Sequence, residues 1–195
     1  MANTGLRTAL FNTFNETELK YINATAQILG RIQSENFSAE YNTAEAYADD
    51  VLAESDVSFR RGTLSIGVLD DDEVVQGVLF GSDNTDDEVT SNINDLAPYI
   101  GYGHIVPKVY RGVKSYKVEM FPRCKVNNIT ADKNTQGEQK EFGSCTVELT
   151  VYAVDAAFGA FAVGDWRKVK SFATLAEAET YLRGLLTPPT GQGGN

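Results

Sequence analysis

Alternation of apolar and polar residues with a period of two is the feature that most constrains this fold. Because successive side chains of a strand point to opposite faces, the pattern predicts strands with one buried and one wetter face. No strand–helix–strand rhythm links the runs, so we expect antiparallel pairing. The apolar positions are Phe37, Ala39 and Tyr41; Leu64, Ile66 and Val68; Tyr116, Val118 and Met120; and Cys145, Val147, Leu149, Val151 and Ala153.

Turn and loop residues separate these strands. Arg111–Gly112 lies between two strand-like runs and is typical of a hairpin turn. Residues 166–172 form a further candidate strand, which we expect to pair with the Val147 strand or its neighbour. Residues 82–95 and 127–144 are polar and lack apolar periodicity, which predicts loops.

Two segments carry helix signals. Residues 71–81 combine acids in the first turn, an i, i+4 apolar pattern and a glycine at the end. Thr174 and Glu177 form a capping box, which predicts a helix over about 174–186. Its apolar stripe consists of Leu175, Ala178, Leu182 and Leu185. The sequence therefore predicts a mainly β fold with one or two helices packed on a face.

Length and composition favour one acidic domain. The chain has 195 residues, a formal net charge of −10 and a pI near 4.6. We expect a single domain over 1–187 and a flexible C-terminal tail at 188–195, where Gly and Pro are frequent. A surface this acidic repels nucleic acid and anionic membranes. There is neither a signal-peptide pattern nor an apolar run near 18 residues, so no membrane association is expected.

No residue pattern points to catalysis or to a bound metal. His104 is the only histidine, and the two cysteines, Cys124 and Cys145, are not in a CxxC pair, which excludes a closed four-ligand zinc site. A disulfide would require the two cysteine strands to be neighbours. The acids at 70–73 suit a helix start better than a cation loop, because the EF-hand glycine and glutamate positions fail. We predict no catalytic residues, no cofactor and no metal.

Some features have two interpretations. Lys108, Arg111, Lys114 and Lys117 form a basic patch on the hairpin, which fits acidic loops of a second copy better than DNA. His104 is interpreted as a structural strand histidine and Trp166 as a core residue.

A resemblance adds to this interpretation. The stretch from Tyr47 to Val68 joins an acidic, Ala-rich segment to a strand that begins at Val57. Residues 97–103, 108–123 and 165–182 follow in consistent order. With these stretches the chain resembles the major tail protein that builds the tail tube of long-tailed bacteriophages with non-contractile tails. The resemblance spans most of residues 5–187.

The resemblance implies a β-sandwich or barrel-like fold with a flanking helix and no catalysis. It implies hexameric rings stacked into a hollow tube, with a tape measure protein and a tail terminator as partners. DNA would pass through the lumen without tight binding, which suits the acidic charge. Residues 43–56 fall where such folds carry a long loop toward the next ring. The inter-ring contact candidates are Tyr47, Asp49, Asp50, Glu54 and Asp56.

Alternatives remain open at this point. A tail terminator or head–tail joining protein would form a single ring and no polymer. A monomeric β-barrel that binds a small ligand, or an enzyme of another type, would have a deep apolar pocket. The tail-tube interpretation places the protein in the virion tail after assembly in the host cytoplasm. The host, the lumen-facing residues and the strand register do not follow from the sequence. Nor does the sequence show whether residues 43–56 and 127–144 are structurally ordered before assembly.

Overall fold

The computed structural model describes residues 2–3, 5–48, 51–85, 88–132 and 144–188. Twelve strands and two helices are found among them. The first strands are β1 (Ala2–Asn3), β2 (Arg7–Asn15), β3 (Lys20–Tyr21), β4 (Gln27–Gly30), β5 (Ile32–Ala48) and β6 (Val51–Val68). Then follow α1 (Glu73–Phe80), β7 (Asp83–Thr85), β8 (Glu88–Thr90), β9 (Tyr99–Tyr110), β10 (Val113–Asp132), β11 (Ser144–Val151), β12 (Lys168–Phe172) and α2 (Leu175–Leu186).

Ten strands form one antiparallel sheet. Its main path is β3-β2-β9-β10-β11-β6-β5, while β4 also pairs with β2, β1 with β9 and β12 with β10. The strands β7 and β8 form a separate small hairpin. The prediction of a mainly β, antiparallel fold with flanking helices is confirmed.

The turn between β9 and β10 follows from its two residues. Tyr110 pairs with Val113, and Arg111 and Gly112 both have positive φ, 49° and 81°. Such a two-residue turn matches the twist of the flanking strands. The predicted hairpin is confirmed, and it determines the register of both strands up to Phe121.

Strand β10 is long enough to pair with two partners on one side. Its first part pairs with β12 and its second part with β11. The register shifts between Phe121 and Cys124, where Pro122 has no N–H for the ladder. The candidate strand at 166–172 is found as β12, which begins two residues later, and it pairs with the neighbour of the Val147 strand, as predicted.

Two predicted loops are partly wrong. Residues 127–132 continue β10 and pair with β11, because the partner strand supplies their backbone hydrogen bonds. Residues 133–143 lie outside the described residues. The segment 82–95 contains the short β7–β8 hairpin.

The sheet curls so that its distant strands meet across the core. One buried cluster combines Phe11 of β2 with Leu64 of β6 and Leu149 of β11, although three strands lie between β2 and β6 in the sheet order. A second cluster, under α2, contains Leu10 and Met120. Neighbouring residues of β2 therefore face opposite cores, and the sheet is covered on both sides.

Both helices have the ends that their sequences predict. The Asp72 side chain accepts hydrogen bonds from the first turn of α1, and Gly81 ends that helix at φ 73°. In α2 the capping box of Thr174 and Glu177 is present in both directions. The buried residues of α2 are Ala178, Leu182 and Leu186, whereas Leu175 and Leu185 of the predicted stripe are half-buried.

The two cysteines lie on neighbouring strands but far apart. Cys124 is opposite Val151, and Cys145 is opposite Ala131. Six residues of strand separate Cys145 from Val151, which is about 20 Å, whereas bridged cysteines need Cα atoms within about 7 Å. Both thiols are free and buried. Neither helix in the described residues is long and apolar enough to cross a membrane.

Candidate functional site

A two-stranded arm, residues 40–48 and 51–61, extends from the sheet. It is the outer part of the β5–β6 hairpin. Within the described residues, β6 pairs with β11 only from Gly62 to Val68, while its pairing with β5 continues out to Val51. Nine further residues of β5 correspond to a length of about 30 Å. The outer edge of β5 has no strand partner in the described part of the chain.

The arm contains the predicted inter-ring segment, but as a hairpin. Residues 43–48 and 51–56 pair across the hairpin, so the expectation of a loop in these residues is wrong. Tyr47 is opposite Leu52, Glu54 is opposite Ala46 and Asp56 is opposite Ala44. Asp49 and Asp50 lie outside the described residues. The structure thus places three of the five candidates on the outer half of the arm, and their contacts with other copies stay a prediction.

Aromatic rings hold the base of the arm. Trp166 stacks on Phe59 of β6, with ring centroids 4.3 Å apart and planes at 5°. It also stacks on Phe37 of β5 at 5.6 Å, and Phe37 in turn contacts the buried Phe121 at 5.1 Å. Trp166 is half-buried rather than a full core residue. Beyond this base, Tyr41 and Val57 are more than half exposed.

The predicted basic patch is divided between two environments. Arg111 and Lys114 are exposed at the end of the β9–β10 hairpin, and Lys108 is half-buried. Lys117 instead pairs with Glu119, and only 16% of its side chain is exposed. The exposed basic surface is therefore smaller than the sequence predicted.

Side chains from β5, β9 and β10 meet in a buried polar cluster. His104 and Glu119 are directly opposite each other in the β9–β10 ladder, and Glu35 reaches them from β5. The His104 Nδ1 lies 2.8 Å from Glu35 Oε2. The side chains of all three residues are more than nine-tenths buried, His104 at 1%, Glu119 at 8% and Glu35 at 9% exposure. Donor atoms of the three lie within 4.8 Å of one another.

Cations and a phenol surround this cluster. Lys117 contacts Oε1 of Glu119, and Arg167 donates to its Oε2 at 2.8 Å. The Tyr102 hydroxyl donates to Glu35 at 3.3 Å. Burial and the nearby Glu35 carboxylate raise the pKa of Tyr102 well above its usual value, so that the phenol keeps its proton. Burial lowers the pKa of Lys117, and the charges of Lys108 and Arg167 lower it further.

The sequence contained one signal for this cluster. The two-residue turn at Arg111–Gly112 determines which residues of β9 and β10 are opposite each other, and counting back from it pairs His104 with Glu119. Glu35 gave no signal, because it is one of 27 acids and joins the cluster only through the curl of the sheet. The interpretation of His104 as a strand histidine agrees with its position in β9.

Two open cavities complete the description. One of about 320 Å³ borders the polar cluster and is also lined by Gly5, Leu6 and Gln33. The other, of about 460 Å³, is a groove between α2 and β2 with Arg31 and Arg183 among its lining residues. Comparison of the chain with models of known protein families and with curated proteins finds no match.

Proposed function

We propose that this protein is a structural subunit that assembles with copies of itself, as a tail-tube protein of a long non-contractile phage tail. The observation that carries the proposal is the β5–β6 arm. Its two strands extend about 30 Å beyond the last strand that supports them. In this proposal the copies form hexameric rings, the rings stack into a hollow tube, and the tube conducts the genome to the host.

The arm is a structure that favours contact with another chain. A two-stranded ribbon is marginally stable in water by itself, and more strands or other packing normally support it. The 17-residue β5 also leaves one edge without a strand partner among the described residues. Such an edge pairs readily with another chain. A contact between the arm of one copy and the body of the next is heterologous, and it closes into a ring or continues along a stack.

Charge supports the same proposal. The net charge of −10 suits a lumen through which DNA slides, because like charges prevent tight contacts with phosphate. The exposed Arg111 and Lys114 offer a local basic surface to the acidic outer arm of a neighbouring copy. The proposal also includes a tape measure protein and a tail terminator as partners, because the family resemblance implies them.

The test compares the full chain with a variant that lacks the arm. Replacing residues 41–60 by Asn-Gly joins Glu40 to Arg61, which already face each other across the hairpin and form an ion pair at 2.8 Å. Asn-Gly is the preferred two-residue turn for such a closure. The other strand pairs of the sheet are retained, although Trp166 loses its stack on Phe59, and the circular dichroism spectrum and the thermal midpoint establish folding.

Negative-stain electron microscopy at high protein concentration then gives the result. We expect hollow tubes of uniform width for the full chain and folded small particles for the shortened chain. Single rings from the full chain would instead indicate a tail terminator or joining protein. Tubes from both chains would refute the role of the arm.

A finer variant tests the acids of the arm. We expect Asp49→Ala with Asp50→Ala to leave the monomer folded and to lower the yield of tubes. The matched control is Asp83→Ala with Glu88→Ala, which removes the same charge from two exposed residues of the β7–β8 hairpin. An equal tube yield from both double variants would remove these two acids from the proposed contact.

A further inference from the structure

We propose that Glu35, His104 and Glu119 form a binding site for one divalent first-row transition metal ion, such as zinc. The ligands would be the His104 Nδ1 and one carboxylate oxygen from each glutamate. A set of one imidazole and two carboxylates suits the borderline ions of this row. This inference is independent of the assembly function proposed above.

The distances fit a common metal sphere. The His104 Nδ1 and Glu35 Oε2 are 2.8 Å apart. Two ligands of a tetrahedral ion with bonds of about 2.05 Å would be about 3.3 Å apart, so this pair has to open by about 0.5 Å. Donor atoms of all three residues lie within 4.8 Å, so a small closing movement of Glu119 completes the set.

The His104 Nδ1 is a buried nitrogen without a hydrogen bond. It is close to Glu35, but the contact does not have hydrogen-bond geometry, and no other acceptor is present in the described part of the chain. An unsatisfied buried polar atom is costly. A metal ion between the imidazole nitrogen and the carboxylate oxygen would satisfy both groups.

Glu119 has to exchange one partner for the ion. Arg167 contacts its Oε2 and Lys117 its Oε1. Arg167 can stay, because an ion needs only Oε1. Lys117 can leave, because its side chain has a flexible stem and borders the open cavity beside the cluster. Lys117 is therefore expected to compete with the ion.

The surroundings supply access and support. The adjoining cavity of about 320 Å³ is large enough for an ion to enter and to keep water ligands. Tyr102 holds Glu35 by a hydrogen bond of 3.3 Å, and Arg167 holds Glu119 at 2.8 Å. Such partners orient the ligands of a metal site.

The first measurement uses the wild-type chain, without an affinity tag, after removal of metals with a chelator. Because His104 is the only histidine, its imidazole gives a single set of NMR signals. We expect zinc, added with excess magnesium to occupy surface carboxylates, to shift these signals and to saturate at one equivalent. Imidazole signals that do not move while the protein takes up zinc would overturn the proposal.

Three variants measured by isothermal titration calorimetry locate the ion. His104→Gln keeps a polar side chain and should weaken zinc binding at least 100-fold. Lys117→Met removes the competing charge but keeps the stem, and should tighten binding about tenfold. Lys20→Met, which changes an exposed lysine on β3, is the control and should leave the zinc affinity unchanged.

Folding of each variant is checked by circular dichroism before titration, and the NMR result on the wild type does not depend on any variant. Unchanged affinity in His104→Gln, or weaker zinc binding in Lys117→Met, would overturn the assignment of these ligands.

Discussion

The contact between Gly103 of β9 and Leu182 of α2 allows a quantitative test of how the helix packs on the sheet. Leu182 is fully buried. A Cβ added to Gly103 would lie 2.5 Å from Leu182 Cδ1 and 3.0 Å from both Glu119 O and Met120 Sδ. Glycine is therefore required here because the helix approaches the strand closely.

The expected cost of each change follows from this geometry. Gly103→Ala overpacks the contact and should lower the free energy of unfolding by about 1–3 kcal/mol. Leu182→Ala removes buried carbon atoms and leaves a cavity, which should cost about 3–5 kcal/mol. In the double variant the new methyl occupies part of the space that the leucine leaves. The double variant should therefore lose about 1 kcal/mol less free energy of unfolding than the two single variants lose together. The relief is only partial, because Glu119 O and Met120 Sδ still lie 3.0 Å from the new methyl.

Urea unfolding of the four proteins, monitored by circular dichroism, measures this double-mutant cycle. Gly184→Ala is the control, because that glycine lies on α2 with open space around its Cβ. It should stabilise the protein by about 0.5–1 kcal/mol, since alanine is the better helix former. The packing argument would be refuted if the cost of the double variant equals the sum of the single costs to within about 0.3 kcal/mol. It would also be refuted if Gly103→Ala leaves the free energy of unfolding unchanged.

Two more predictions concern the arm and the thiols. Trp166→Ala should loosen the base of the arm by about 1 kcal/mol through the lost stack on Phe59. Trypsin should then cleave faster at the exposed Arg60 and Arg61, while cleavage outside the arm is unchanged; equal rates would contradict the anchoring role. Burial raises the pKa of both Cys124 and Cys145, so that thiolate is scarce. A thiol reagent at pH 8 should detect no cysteine in the native protein and two in denaturant, and rapid native labelling would contradict the burial of the thiols.

Local signals were predicted well because the interactions behind them span few residues. The capping box of Thr174 and Glu177 joins groups three residues apart, and the same contact is found in the structure. The Arg111–Gly112 turn needs only its two positive φ angles. The alternating strand at 145–151 buries its apolar side, because one face of the sheet covers the core.

The arm shows where local signals fail. The resemblance implied a long loop at residues 43–56, and the acids and alanines there, which are infrequent in strands, gave no strand signal. The structure pairs residues 43–48 with residues 51–57, because β6 supplies hydrogen-bond partners along the inner edge of β5. The same reason applies to residues 127–132, which β11 holds in the sheet.

By itself the sequence determined the strand-rich class, the antiparallel hairpin, both helices and the acidic character, since each depends on neighbours along the chain or on composition. Only the tertiary structure decided which residues meet. The curl of the sheet brings Glu35 to His104 across the core, and the register of β10 and β11 keeps the two cysteines apart. Contacts between distant strands depend on how the whole sheet closes around its core, and no local pattern records that closure.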